Sequence, residues 1–235
     1  MSPTTLGYAF LGGLLPSFIW LYFILREDKT HPEPRGLLAM TFIAGMIAVP
    51  LALPLEQYAR TYLQDNVSVI VAWALVEEVL KYIMVAAFIL WRRAVDEPID
   101  YVVYMITVAL GFAAAENMLF LVDPSCSLGA AVATNFTRSA AFLCTDGVRF
   151  LGANLLHVVA SASIGFALAF STKFRPAGRI VAAALGLILA VVLHTAFNLL
   201  IIDISASVAL FLVWIVAVIV LAAFEVLKYL QSRNP

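Results

Sequence analysis

The stretch SVIVAWALVEEVLKYIMVAAFILW, Ser68–Trp91, decides the fold of this chain. It is long and apolar enough to cross a lipid bilayer as a helix, which takes about 20 mostly apolar residues. Yet it contains Glu77, Glu78 and Lys81, and a charged side chain near the centre of a membrane helix costs about 2.5–3.5 kcal/mol on insertion scales. The stretch therefore predicts a transmembrane helix whose charged residues compensate one another or serve a function.

Six more apolar windows of similar length lie on either side of this stretch: Leu6–Leu25, Gly36–Leu55, Tyr101–Val122, Val148–Ser171, Ile180–Ile202 and Ser205–Leu227. Since none alternates as a membrane strand does, the expected fold class is all-α, a polytopic transmembrane bundle of about seven spans. The shorter apolar stretch Leu128–Leu143 is expected to form an interfacial or re-entrant helix, with an eighth span as the alternative. We expect residues 1–235 to form a single integral-membrane domain, and the first span lacks the features of a removed signal peptide.

The composition supports the same class of protein. Hydrophobic residues make up 63% of the chain and charged residues 12%, and the mean hydropathy is +1.00. An ordinary soluble domain is about half apolar and about a quarter charged, so a soluble chain of this size could not hide so much apolar surface. The net charge of −1 leaves no basic patch for a nucleic acid. The expected partner is the lipid bilayer, with no nucleic acid.

Basic residues mark alternate loops and the end of the chain: Arg26, Lys29, Arg35, Arg92, Arg93, Lys173, Arg175, Arg179, Lys228 and Arg233. The positive-inside rule then predicts that the N-terminus is outside and that the C-terminus is cytoplasmic. Cys126 and Cys144 would share an extracytoplasmic loop, either as a disulfide or as unlinked thiols. His31 is expected in a solvated cytoplasmic loop and Glu56 at the outer interface.

Four spans carry an ionisable residue at a similar predicted depth, about six to nine residues from their outer ends: Glu77, Glu116, His157 and His194. At 1.5 Å per residue, this depth is about 9–14 Å, so we expect one shared site in the outer half of the bilayer. His194 and Asn198 are four residues apart and share a helix face. Lys81 follows Glu78 by three residues and Glu77 by four, and can pair with either.

Three classes of function remain open for such a site. In a hydrolase, glutamate deprotonates a water molecule, histidine and asparagine hold an oxyanion, or histidine and glutamate bind zinc. In a proton- or cation-coupled transporter the same residues relay the ion, although no inverted repeat is visible here. A structural protein would leave the polar layer unexplained. The Gly-x-Ser-x-Gly and Gly-x-Gly-Asp motifs are absent from the sequence, which disfavours serine and aspartate nucleophiles. The zinc-protease motif H-E-x-x-H is absent as well.

Four blocks of this sequence, in order, resemble the PrsW family of intramembrane proteases, which is distantly similar to the CAAX prenyl endoproteases and bacteriocin-processing proteins. They are Glu77–Lys81, which matches a Glu-Glu-x-x-Lys motif, Gly111–Asn117 with Glu97–Asp100 and Tyr104 before it, His157 with Ser161 and Gly165, and His194 with Asn198. The loop Arg26–Pro34 also resembles the loop after the first span of the family. Tyr101, Met105 and Phe120 depart from the family pattern outside the polar layer.

The resemblance implies an intramembrane endopeptidase that cleaves a membrane protein, such as an anti-sigma factor, near the extracytoplasmic side. Glu77, together with Glu78, would polarise the attacking water, and Lys81 would balance their charge. His194 and Asn198 would stabilise the oxyanion of the tetrahedral intermediate.

The resemblance leaves the roles of two further residues open. Glu116 and His157 would complete the site, either by orienting the other groups or, with His194, as ligands to a zinc ion. A metal-free glutamate mechanism is favoured in the CAAX relatives, whereas the third carboxylate here makes a metal site more credible.

Overall fold

The computed structural model describes residues 3–27, 32–122 and 147–232. These residues contain seven α-helices. In chain order they are α1 (Pro3–Glu27), α2 (Arg35–Tyr62), α3 (Asn66–Phe88), α4 (Pro98–Val122), α5 (Gly147–Phe170), α6 (Pro176–Asp203) and α7 (Ala206–Ser232). The all-α fold class is confirmed, and each predicted span coincides with one helix. The boundaries differ most at α2, which continues to Tyr62 rather than ending near Leu55, and at α7, which continues to Ser232 rather than ending near Leu227.

Six of the helices are long and apolar enough to cross a membrane, and α3, which the sequence predicts as a span, is not among them. Helix α3 is 23 residues long and differs by carrying Glu77, Glu78 and Lys81. Large apolar side chains such as Ile180 on α6 and Phe211 on α7 are exposed on the outside of the bundle, at 71% and 66%. An extensive apolar surface of this kind suits contact with lipid rather than water. The chain is a multi-pass membrane protein.

Helix α4 lies at the centre of the bundle, where it packs against α1, α2 and α5, and every residue from Ile99 to Ala114 is buried. Glycines bring its neighbours close. A Cβ atom on Gly45 of α2 would lie 2.0 Å from the carbonyl oxygen of Val108, and one on Gly165 of α5 would lie 2.7 Å from the Cα of Val102. Small residues at such contacts are the usual means by which membrane helices approach each other closely. They fix α2 and α5 against α4.

Helix α3 packs between α2 and α6. Its first turn is capped by Asp65, whose Oδ1 accepts a hydrogen bond of 2.8 Å from the backbone N–H of Ser68. Further along, the indole N–H of Trp73 donates to the backbone carbonyl of Glu56 on α2 at 3.0 Å. These contacts hold α3 so that its charged turn faces the interior of the bundle.

Three of the sequence-based predictions concern residues outside the described ranges. They are the interfacial helix at Leu128–Leu143, the pairing of Cys126 with Cys144, and the solvated position of His31. These stay predictions.

Candidate active site

Four helices bring the ionisable residues of the predicted polar layer together: Glu77, Glu78 and Lys81 on α3, Glu116 on α4, His157 on α5 and His194 on α6. Glu78 and Lys81 are completely buried, and each of the two histidines is 2% exposed. The two imidazole rings lie edge to face, with 5.1 Å between their centroids. Ionisable groups can be buried at low cost only when they satisfy one another, so their individual contacts define what each can do.

Glu78 is fully engaged by its neighbours. Its Oε1 accepts hydrogen bonds from Lys81 Nζ at 2.7 Å and from His194 Nδ1 at 2.9 Å, and its Oε2 accepts one from Ser161 Oγ at 2.9 Å. Hydrogen bonds to a charged group are short and strong. Glu78 therefore acts as an anchor that joins α3 to α5 and α6 and sets the orientation of His194.

Lys81 determines which nitrogen of His157 carries the proton. Its Nζ lies 2.8 Å from His157 Nδ1, and an ammonium group can only donate, so Nδ1 accepts. In the neutral ring the proton is then on Nε2, which donates to Glu116 Oε2 at 2.8 Å. The Lys81 Nζ also lies 4.2 Å from the centroid of the Phe112 ring, where the ring face adds a cation–π contact. A continuous chain of contacts thus runs from Glu78 through Lys81 and His157 to Glu116.

Glu77 carries the least satisfied side chain of the cluster. Its Oε2 is buried and has no hydrogen-bond partner among the residues that the structure describes. It lies 3.6 Å from Lys81 Nζ and 3.8 Å from His194 Nε2. Because His194 donates from Nδ1 to Glu78, the Nε2 of the neutral ring offers a lone pair beside this oxygen. The pair can bind a metal ion or a water molecule that contacts both.

Three residues are placed to hold a metal ion. Glu77, His157 and His194 each offer one ligand atom, and these atoms lie within 4.8 Å of one another. Two histidines and one glutamate are a donor set of catalytic zinc sites. The zinc ligands suggested by the sequence included Glu116 in place of Glu77, whereas in the structure Glu116 accepts the hydrogen bond from His157.

A cavity of about 190 Å³ lies beside Glu77 and Glu116. Residues of α2, α3 and α4 line it: Val49, Ala52, Leu53, Glu56, Glu77, Phe112, Glu116, Leu119 and Phe120. Three of them are glutamates, and the others are apolar. The cavity gives a molecule in or near the membrane access to the carboxylates of the cluster.

Six of the residues singled out in the sequence converge, and a seventh lies apart. Asn198 is half-buried on α6, one turn beyond His194, and makes no hydrogen bond in the part of the chain described here. Its proposed contact with an oxyanion stays a prediction. Lys81 pairs with both glutamates, at 2.7 Å to Glu78 and 3.6 Å to Glu77, as the helical spacing allowed.

Two further residues of the site received no role from the sequence. Ser161 was named only as part of the family block of His157 and Gly165, and in the structure its hydroxyl donates to Glu78. Glu56 is half-buried and lines the cavity, and its expected position at the outer interface stays a prediction. Helix α2 continues to Tyr62, so Glu56 lies within the helix rather than at its end. The residues Gln57–Tyr62, which follow the apolar window, were the part of the sequence that could have indicated this.

A bundle of apolar helices that buries a cluster of glutamates and histidines defines a multi-pass membrane protein with an intramembrane polar site. The family model described as PrsW family intramembrane metalloprotease matches residues 33–224. The match covers most of the chain, and this chain belongs to that family. The resemblance seen in the four sequence blocks is confirmed.

Individual relatives are similar over about half of their length. A protein named Protease PrsW from Geobacillus kaustophilus (strain HTA426) is 29% identical over 113 residues, which cover 46% of this chain and 50% of the relative. The protein of that name from Clostridioides difficile (strain 630) is 28% identical over 133 residues, 54% of this chain and 56% of the relative. The one from Oceanobacillus iheyensis is 32% identical over 114 residues, 47% of this chain and 52% of the relative. No solved structure matches significantly.

Proposed function

We propose that this protein is an intramembrane endopeptidase that hydrolyses a peptide bond of another membrane protein. The observation that carries the proposal is the convergence of Glu77, His157 and His194 beside a cavity, with their ligand atoms within 4.8 Å of one another. The buried and unsatisfied Oε2 of Glu77 adds a group that is able to bind the attacking water. Membership of a family described as intramembrane metalloproteases supports the same activity.

In a metal-free reaction, Glu77 is the general base. Its carboxylate lines the cavity and can accept a proton from a water molecule that attacks the carbonyl carbon of the substrate. The same carboxyl group then returns the proton to the leaving amine nitrogen. Glu78, which is occupied by three donors, positions the site rather than reacting.

His194 and Asn198 are proposed to stabilise the oxyanion of the tetrahedral intermediate. In its imidazolium form, His194 keeps its Nδ1 hydrogen bond to Glu78 and can donate a second hydrogen bond from Nε2. Asn198, one turn further along α6, would supply an amide donor. Donors of this kind are worth about 10²–10³-fold in kcat in other hydrolases.

The residues of the site also fit a zinc ion. Glu77, His157 and His194 would hold it, because the Glu77 Oε2 lacks a hydrogen-bond partner among the described residues and the neutral His194 ring leaves Nε2 free to coordinate. A bound zinc ion would lower the pKa of a water molecule to about 7 and polarise the substrate carbonyl.

Zinc binding would change what the remaining residues do. For His157 to coordinate through Nε2 as a neutral ring, its Nε2 proton would leave by way of Glu116, and Nδ1 would take a proton from Lys81, whose neutral amine would then accept the Nδ1–H. With Glu77 as a ligand, Glu116, which lines the cavity and contacts His157, would be placed to accept a proton from water.

We further propose that cleavage takes place near the extracytoplasmic side. The distribution of lysine and arginine favours an outside N-terminus and a cytoplasmic C-terminus, which places the cluster in the outer half of the membrane. The substrate would be a membrane protein whose chain can enter the cavity, and the family resemblance suggests an anti-sigma factor.

The purified protein in liposomes, mixed with a panel of single-pass transmembrane peptides, tests the proposal. We expect fragments by mass spectrometry from the wild type and a loss of about 10²–10⁴-fold in Glu77→Gln and His194→Ala, the range attributed to a positioned acid or base. Glu225→Gln is the matched control, because this carboxylate is 63% exposed on α7 and pairs with Lys228. Full cleavage by Glu77→Gln, or ion flux without any fragment, would refute the protease and favour the transporter.

A further inference from the structure

The cavity beside Glu77 has more carboxyl groups in its wall than the hydrolytic scheme uses. Glu56, Glu77 and Glu116 come from three different helices and share its wall, and no lysine or arginine is among the lining residues that the structure describes. The lysine of the cluster, Lys81, donates to Glu78 and His157 and lies 3.6 Å from Glu77, so that Glu56 has no ion pair among the described residues. A group of carboxylates in an environment of low dielectric constant strongly favours a cationic or hydrogen-bond-donating ligand.

Glu56 is the carboxylate to which the reaction assigns no role. Its backbone is fixed, because its carbonyl oxygen accepts the 3.0 Å hydrogen bond from Trp73 on α3. Its side chain is half-buried and forms no hydrogen bond or ion pair within the described ranges. Independently, the buried Oε2 of Glu77 is also without a hydrogen bond there. Two helices thus present acceptors to the cavity without donors of their own.

The size and walls of the cavity indicate what it would accept. Its volume of about 190 Å³ is below the roughly 300–1,000 Å³ of small-molecule sites, and it suits a single side chain. Val49, Leu53 and Leu119 provide apolar walls. A lysine or arginine has a hydrocarbon stem that packs against such walls and a charged head that reaches carboxylates.

We infer that this cavity is a specificity pocket that receives a lysine or arginine side chain of the substrate near the bond to be cleaved, and that Glu56 selects it. The inference rests on the proposed function. A cationic side chain is attracted to Glu56, a neutral one of similar size leaves Glu56 without an ion pair, and an acidic one is repelled. Glu56 is a positioning residue, and Glu77 remains for the reaction.

Transmembrane peptides that differ at one position test the inference with the full chain in liposomes. The variable residue is lysine, methionine or glutamate and is moved along the outer interface of the peptide. We expect the wild type to cleave the best lysine peptide about tenfold faster than its methionine counterpart, mainly through KM, a factor equivalent to about 1.4 kcal/mol. Glu56→Gln should reduce the preference to about threefold or less, Glu56→Lys should turn it toward the glutamate peptide, and Glu225→Gln should leave it unchanged.

A second readout separates this inference from the proposed function. Photo-crosslinking of the same peptides to Glu77→Gln measures binding without cleavage, and the double variant with Glu56→Gln should lose the lysine preference there as well. If the wild type cleaves no peptide, the hydrolytic proposal fails, and the crosslinking alone then tests whether the cavity prefers a lysine side chain. An unchanged lysine preference in Glu56→Gln, or a preference that is abolished by a chelator and tracks bound divalent metal, would overturn the inference.

Discussion

Replacing Lys81 with methionine removes the cation at the centre of the buried cluster and leaves most of its packing volume. The Nζ of Lys81 donates to Glu78 at 2.7 Å and to His157 at 2.8 Å, and the side chains of Lys81 and Glu78 are both completely buried. Hydrogen bonds to charged groups contribute about 1.5–3 kcal/mol each, so the two together contribute about 3–6 kcal/mol. Breaking a buried ion pair by removing one partner costs about 3–5 kcal/mol. We expect Lys81→Met to lower the free energy of unfolding by about 3–5 kcal/mol.

The assay is equilibrium unfolding in mixed micelles, followed by circular dichroism, on four proteins. The matched control is Lys228→Met, because Lys228 also has a glutamate three residues before it, at 2.5 Å, but the pair is exposed at 30% and 63%. Such an exposed pair is worth about 0–1 kcal/mol. The double variant Glu78→Gln with Lys81→Met removes both charges, and should regain about 2 kcal/mol relative to Lys81→Met alone while remaining inactive.

The reasoning would be refuted by either of two results. If Lys81→Met were no more destabilising than Lys228→Met, the buried charges would contribute no more than a surface pair. If the double variant were less stable than Lys81→Met, the cost would come from lost packing rather than from the uncompensated charge of Glu78.

Two other predictions test the site and the bundle. Glu77→Gln should reduce the zinc content of the purified protein by about tenfold or more, while Glu116→Gln should keep the zinc and lose cleavage. Elemental analysis measures this, and a greater zinc loss in Glu116→Gln would restore the ligand set suggested by the sequence. Gly111→Val should lower the free energy of unfolding by about 1–3 kcal/mol in the same assay, because a Cβ atom at this position would lie 2.0 Å from the carbonyl oxygen of Phe42. Gly36→Val, with nothing within 4 Å, is the control, and an equal effect of both would contradict the close packing of α2 and α4.

The sequence predicts the helices and the meeting of the ionisable residues because a bilayer restricts both the length and the composition of a span. Helices that alternate in direction bring residues of equal depth to one layer, which is why Glu116 and His157 meet. Sequence spacing does not reveal that Glu116 pairs with His157 while Glu77 joins the ligand group, since this depends on the rotation and tilt of each helix. The end of α2 was misplaced for a related reason: an apolar window does not locate the end of a helix that continues to Tyr62.

The Glu-Glu-x-x-Lys turn of α3 divides two tasks between adjacent carboxylates. Neighbouring residues on an α-helix point about 100° apart, so the two side chains cannot occupy the same environment. Glu78 faces α5 and α6, where Ser161 and His194 satisfy it, and Glu77 faces the cavity with an unsatisfied oxygen. Lys81 lies within reach of both, at 2.7 and 3.6 Å. One glutamate could not perform both tasks, because a carboxylate that is held by three donors is a weak base and an unsatisfied one would not orient His194. In the proposed reaction, this turn therefore requires the pairing of a satisfied with an unsatisfied carboxylate, rather than a high density of negative charge.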